Sequence, residues 1–498
     1  MLTRLRIENF FAKLDRSGPT FRSLSGVVSL GLWALTAHGA HGDVVINEIM
    51  YNPYEPIFTT NDTEYVELYN SGTQTVDLST YRLDNGVAYD FPDGTTLPAD
   101  GYLVVCEKVK AFQTDYPTVT NVVGNFSANL RNSGERLTLS RRVDDEWVAV
   151  NTIRYRDIGT SDGEGPSLEL IHPGFGRLTN HYHGAWASSS GTGTPGAQNS
   201  VYSAAPLPVV GDVRHDPPLP LPGGSVDISA RVAAYDSDRL SLVMLKFRVS
   251  GSSTWIEFPM FDDGLNGDGT AGDGVYSARL PEYGEPAFSS GDVLEFRIEA
   301  TDTHTNSVVA PAVNTAGVTG AGPFRYLCKF GQDNGYSGEY TTYHILMTAA
   351  DKNTLETRSL QSDVLLDATL VMGTGEIYYN CGVRFRGGSS RNSNYGGYRI
   401  ELPDGYRYDT YREINLNHLN ALNQYMGLKL SQSLGYGAHG QDVELSRVWL
   451  NGQYKNPSSQ HIYVRIEGFD GHIIDRYFDE TRGNRYKSDG DQIYRGDL

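Results

Sequence analysis

From Glu376 to Arg386 the sequence alternates with a period of two. Ile377, Tyr379, Cys381, Val383 and Phe385 fall on one side; Glu376, Tyr378, Asn380, Arg384 and Arg386 fall on the other. A helix would scatter these apolar residues around its circumference, whereas an extended chain puts them on one face. The pattern therefore predicts a half-buried strand. Tyr398–Leu402 alternates in the same way, with Arg399 and Glu401 on its polar side. The intervening Gly387–Gly397 is rich in Gly, Ser and Asn and reads as a turn. If the two strands pair, Arg384, Arg386 and Arg399 share one face beneath a glycine-rich loop. Guanidinium groups beside free backbone N–H groups suit a phosphate. The alternative is a plain hairpin whose arginines pair with Glu376 and Glu401.

A chain of 498 residues predicts two to four domains. With 20% charged and 39% hydrophobic residues it suits folded β-rich modules rather than disorder. A net charge of −19 argues against nucleic acid or an anionic membrane as the main partner. Residues 1–42 have the order of an export signal: Arg4, Arg6, Lys13, Arg16 and Arg22, then the apolar run Gly26–Leu35, then small residues before Asp43. The expectation is a secreted or cell-surface protein with no transmembrane span, because the apolar run is too short to cross a bilayer comfortably. Three cysteines, Cys106, Cys328 and Cys381, make no disulfide framework, although a Cys328–Cys381 bridge stays open.

Between residues 43 and 200 short strands recur with turns between them. They include Asp43–Met50, Glu64–Asn70, Tyr102–Cys106, Arg136–Leu139 and Ser167–Ile171. In the second, Val66 and Leu68 are expected inward and Tyr65, Glu67 and Tyr69 outward. This spacing predicts a β-sandwich. Glu48, Glu64 and Glu67 are expected to be solvated sheet-surface acids. Proline-rich stretches at 205–208 and 216–222 read as linkers. Alternation then returns, predicting a second all-β domain over 201–325. Its most distinctive loop, 262–274, carries Asp262, Asp263, Asn266, Asp268 and Asp273 among glycines. It is either a Ca²⁺ loop or a set of solvated turns; the spacing is not that of an EF-hand. In the last part, Thr348-Ala-Ala-Asp351 predicts a helix start running to about Leu360. Leu422, Met426 and Leu430 step by four and predict a second helix over 421–434, and Asn451-Gly452 signals a hairpin.

Ile46-Asn-Glu-Ile49, Glu64-Tyr-Val-Glu-Leu-Tyr-Asn70, Val76-Asp-Leu-Ser79 and Gly193-Thr-Pro-Gly-Ala-Gln-Asn199 resemble the lamin tail domain. That implies an immunoglobulin-like sandwich that binds or attaches. Gly382-Val-Arg-Phe-Arg-Gly-Gly-Ser-Ser390 with Tyr398–Leu402, Tyr343–Met347, Glu413–Leu416, Val448–Tyr454, Tyr463–Glu467 and Gly483–Lys487 resemble, in order, the spore-coat protein H (CotH) kinase family. That resemblance implies a kinase-like α+β fold using Mg-ATP to phosphorylate secreted proteins, and it matches Glu467 and Lys487 to family polar positions. The family's metal-binding acids follow the segment matched by Tyr486-Lys487, and the chain ends at Leu498. The expectation is therefore a mainly β, multidomain chain. It has a signal (1–42), two immunoglobulin-like β-sandwiches (43–200 and 201–325) and an incomplete α+β kinase-like domain (326–498). In this reading it binds a protein or a cell-envelope or matrix polymer; the alternative is an atypical protein kinase.

Overall fold

A computed structural model describes residues 44–495 except 55–56, 58–62, 177–182, 237–239, 282–286, 312–324, 332–339, 388–390, 392–395, 410, 434–440, 456–461, 469–485 and 490–491. The expected signal (1–42) and most of the turn after Gly387 lie outside the described residues.

The first part contains β1 (Val44–Met50), β2 (Tyr65–Asn70), β3 (Val76–Asp77), β4 (Tyr81–Asp84), β5 (Tyr89–Asp90), β6 (Thr96–Leu97), β7 (Tyr102–Cys106), β8 (Val122–Gly124), β9 (Arg136–Val143), β10 (Glu146–Arg154), β11 (Leu168–Leu170) and β12 (Trp186–Ser188). Two short helices, α1 (Val109–Asp115) and α2 (Pro173–Gly176), interrupt them. A six-stranded sheet runs β12-β11-β1-β2-β7-β8, and a four-stranded sheet runs β10-β9-β4-β5. The sheets share one core: Ile46, Val66 and Leu68 from the first meet Leu83, Leu137, Leu139 and Ile153 from the second. The outward assignment of Tyr65 and Glu67 is corrected, since both are fully buried. Tyr65 packs with Met50, Val104, Cys106 and Phe112 of α1 in a second core on the far side of the sheet. Alternation reports one buried face and cannot show that a helix and a closing loop cover the other.

The middle part contains β13 (Val209–Asp216), β14 (Val226–Ala233), β15 (Leu240–Val249), β16 (Ile256–Pro259), β17 (Val275–Leu280), β18 (Val293–Asp302), β19 (Ser307–Ala310) and β20 (Tyr326–Lys329). The sheets β13-β14-β17 and β16-β15-β18-β19, the latter joined by β20 on β18, enclose Val226, Ile228, Leu245, Phe247, Phe296 and Ile298.

The last part contains β21 (Thr341–Leu346), α3 (Ala349–Thr357), β22 (Leu366–Met372), β23 (Ile377–Arg386), β24 (Gly397–Glu401), β25 (Glu413–Asn417), α4 (Ala421–Ser433), β26 (Val443–Leu450), β27 (Gln453–Lys455) and β28 (Tyr463–Ile466). A separate hairpin joins β29 (Tyr486–Asp489) to β30 (Gln492–Arg495). The order β21-β22-β23-β24-β25-β28-β26 closes on itself because β21 and β26 pair in parallel. Seven strands thus form a barrel around Tyr343, Val383, Ile400, Leu416, Val448 and Tyr463, and closure leaves those strands no free edge. The capped helix start holds: Thr348 Oγ1 accepts from Asp351 N at 3.0 Å. Asn451 and Gly452 both have positive φ, as the tight β26–β27 turn requires. α4 is present, but its orientation is the reverse of the one its four-residue step suggests. Ala421, Tyr425 and Leu428 pack inward against Val443, Val464 and Ile466, leaving Met426 at 64% and Leu430 at 60% exposure.

The strand β23 departs most instructively from its pattern. Its pairing with β22 shifts by one residue, from Ala368↔Cys381 to Leu370↔Tyr378, and Asn380 in the shift has φ +54°. A bulge reverses which side chains face which way. Cys381, Val383 and Phe385 enter the barrel core, joined by Tyr378, while Ile377 and Tyr379 turn to the core of the middle part. There the Tyr379 hydroxyl meets His215 Nδ1 at 2.6 Å, and its ring packs on Tyr326 and Phe296. Burial lowers His215 to about 4, so the imidazole is neutral at physiological pH. The first part also touches the barrel, through an ion pair between Asp157 and Arg407 and through Arg156 stacked 4.0 Å over the Tyr406 ring. All three cysteines are free and buried. Cys328 faces the middle core and Cys381 the barrel core, so the bridge left open by the sequence is not formed. Among the described residues no helix is long and apolar enough to cross a membrane.

Replacing Asn380 by Val puts a β-branched residue in the left-handed region and is expected to cost about 2–3 kcal/mol. Asn380→Gly keeps the backbone and loses the bonds from Asn380 Nδ2 to the Arg325 carbonyl and, at 3.4 Å, to Asp367 Oδ1, about 1 kcal/mol together. Urea midpoints should fall in the order wild type, Gly, Val. Equal midpoints for the two variants would show that the bulge does not need this conformation.

Candidate functional site

The expected arginine face exists. Arg384 on β23 lies directly opposite Arg399 on β24, and Arg386 lies two residues along the same strand, opposite Gly397. Their neighbours Val383, Phe385, Tyr398 and Ile400 fill the barrel core, so the arginines stand on its outer surface. Arg399 Nη2 holds Glu401 at 2.7 Å and Glu413 at 2.6 Å. Arg386 hydrogen-bonds neutral side chains, donating from Nε to Asn415 Oδ1 at 2.6 Å and from Nη1 to Asn417. Arg384 Nη1 donates to the Phe385 carbonyl and lies 3.2 Å from Asp363. Glu376, the other partner considered from sequence, instead accepts from Thr374.

Two arginines not singled out from the sequence complete the cluster. Arg391 follows the glycines of the turn; its side chain is nine-tenths buried, and Nη2 reaches Asp363 at 2.8 Å. Arg358 caps the C-terminal end of α3. Burial, then the charge of neighbouring guanidiniums, lowers the pKa of Arg358 and Arg384. Burial also lowers Arg386. Arginine stays charged regardless, so each of these guanidiniums remains a cation. Arg358, Arg384, Arg386, Arg391 and Arg399 face Asp363, Glu401 and Glu413. Arg358 Nη2, Arg391 Nε and Arg399 Nε are buried without an acceptor among the described residues. The arrangement suits an oxyanion. A signal for the missed members was available in Arg391 within the glycine-rich turn and in a basic residue closing a helix, but their convergence on Arg384 required the fold.

The other expected residues lie elsewhere. Glu467 is buried, and its carboxylate accepts from Asp442 N at 2.8 Å beside the Asp442–Arg465 pair. Lys487 sits on β29, and its side chain lies outside the described residues. In loop 262–274 the carboxylates serve the loop's own backbone. Asp268 Oδ2 accepts from Asp263 N and Gly264 N at 2.7 and 2.8 Å. Asp262 accepts from Gly272 N and Gly274 N at 2.7 and 2.9 Å, Asp273 Oδ1 from Val275 N, and Asp263 Oδ1 from Leu265 N. Asn266 has φ +52°. Asp268 Oδ1 alone is buried and unpartnered. Ca²⁺ takes six to eight oxygens, and no three His, Cys, Asp or Glu side chains among the described residues are grouped to hold a metal ion.

Glu48, Glu64 and Glu67, expected to be solvated, are buried. Glu48 on β1 lies directly opposite Glu67 on β2 and Glu169 on β11, and all three are fully buried. The segment 193–199 closes over them. Thr194 N donates to Glu48 Oε1 at 3.0 Å, Thr194 Oγ1 to Glu169 at 2.7 Å, Gly196 N to Glu67, and Asn199 Nδ2 to the Asn47 and Leu170 carbonyls at 2.9 and 2.8 Å. Ser167 Oγ adds a 2.6 Å bond to Glu48. Desolvation raises Glu48 to about 7 against these hydrogen bonds, and raises Glu67 as well. The row is a clamp joining the first strands of this part to the segment 193–199, not an exposed acidic site. The family model of the lamin tail domain matches residues 37–155, about a quarter of the chain. No curated protein matches the chain. Beyond residue 155, β11 and β12 extend the same sheet.

A carboxyl raised from its ordinary value of about 4.3 stabilises the fold fully below that value, and this stabilisation is lost as pH rises through about 7. Glu48→Gln should therefore raise the melting temperature relative to wild type at pH 8 and have a smaller effect at pH 5. Thermal melts at the two pH values check this; an equal shift at both would mean that Glu48 does not titrate in this window.

Proposed function

We propose that this is an exported modular binding protein that holds a phosphate-bearing partner on the arginine face of its barrel. The observation that carries the reading is the local surplus of guanidinium, with buried N–H donors lacking acceptors, in a chain whose net charge is −19. In an acidic protein such a patch is a local construction rather than a consequence of composition, and bidentate guanidinium groups match phosphate geometry. The lamin tail match supports a binding role for the first module. Both upstream sheet pairs read as immunoglobulin-like sandwiches that display the barrel. The basic lead and apolar run before Asp43 support export to the cell surface or beyond. The partner is then a phosphate-carrying polymer of the envelope or matrix.

A second reading, phosphoryl transfer from Mg-ATP to a secreted protein, is favoured by Arg384, Arg386 and Arg399 flanking a glycine-rich turn in a stretch resembling the CotH family. No metal-holding cluster among the described residues supports it.

Isothermal titration with inorganic phosphate, polyphosphate and ATP tests both readings. Binding of all three is expected, weakening with salt and falling about tenfold or more in Arg384→Ala, which loses a charge-assisted bond. No binding of any phosphate would sink the first reading. Turnover of ATP by the purified chain would establish the second.

A further inference from the structure

Asp363 differs from the other acids around the arginines. Glu401 and Glu413 sit on barrel strands, whereas Asp363 lies in the loop between α3 and β22. Its side chain is 74% exposed, yet it bridges Arg384 and Arg391, which are only 11% and 10% exposed. One carboxylate oxygen, Oδ1, takes both contacts, at 3.2 and 2.8 Å. The hydrogen bond from Arg391, then the charges of Arg384 and Arg391, holds its carboxyl below the usual carboxylate range, so it is charged at neutral pH.

The asymmetry has a direct consequence. A largely solvated carboxylate loses little on leaving an ion pair. The nearly buried guanidiniums lose much more if nothing replaces it. Among the described residues Arg391 would retain the Gln361 carbonyl, at 3.2 Å from Nη1. An incoming group must therefore bring its own negative charge. One oxygen of a phosphate can take the place of Oδ1, leaving its others for the unpartnered Arg391 Nε and Arg358 Nη2, which a single carboxylate oxygen does not satisfy.

We propose that Asp363 is a built-in competitor for the phosphate site: it occupies the Arg384–Arg391 fork in the free protein and is displaced when a phosphate group binds. This rests on the binding reading given above. The competitor lowers affinity for weak or singly charged anions such as free carboxylates, and it is overcome by ligands that engage more of the cluster at once.

The test uses the full chain, with inorganic phosphate and acetate as probes, in wild type, Asp363→Asn and Asp363→Ser, each checked for a wild-type-like melt. Removing the competing charge is expected to tighten phosphate binding by about fivefold or more in both variants and to bring acetate binding into the measurable range. If wild type binds phosphate and both variants bind equally or more weakly, Asp363 is a strut that positions the arginines; this inference then fails while the binding reading stands. If neither wild type nor variants bind phosphate, both fail. If only the Asn variant melts like wild type, its affinity decides.

Discussion

One backbone conformation, the left-handed Asn380 in β23, sets how the last two parts of the chain meet. It slips the strand by one residue and so sends its two halves to different cores. The C-terminal half closes the barrel, and the N-terminal half carries Tyr379 into the middle sheets beside His215, Phe296 and Tyr326. A continuous strand would leave Ile377 and Tyr379 with the barrel residues and take their packing away from the middle core. Asparagine tolerates this conformation better than the β-branched residues that otherwise favour strands. The outer face of β23, with its arginines, lies beyond the bulge and inherits its orientation from it.

Charge is distributed with the same dependence on tertiary context. The first part buries three glutamates in a row across β11, β1 and β2, where they serve as acceptors for a closing loop. The barrel gathers five arginines on its outside, where they outnumber the acids that face them. An isolated buried charge is costly, so the glutamates accept hydrogen bonds, and burial pushes Glu48 and Glu67 towards the protonated form. The arginines cannot discharge in that way, and their excess over the facing acids is what supports the proposed phosphate ligand.

Period-two alternation located most of the strands, and capping and turn residues located Thr348 and Asn451-Gly452, because these signals are local. The shared face of Arg384, Arg386 and Arg399 was legible for the same reason: strand pairing follows from a short turn. The inward face of α4 was not, since its two apolar stripes are both present in sequence and only the packing of Val443 and Val464 chooses between them. Tyr65 and Glu67 looked outward because the helix and loop that cover them lie far away in the chain.

By itself, then, the amino-acid sequence determined a mainly β chain, its lamin tail-like beginning and the arginine-bearing hairpin, all properties of neighbouring residues and their period. Barrel closure through β21 and β26, the one-residue slip at Asn380, the burial of the glutamate row and the meeting of Arg384, Arg391 and Asp363 were decided only by the tertiary structure. Each depends on contacts between residues distant in the chain, whose energies no local pattern records.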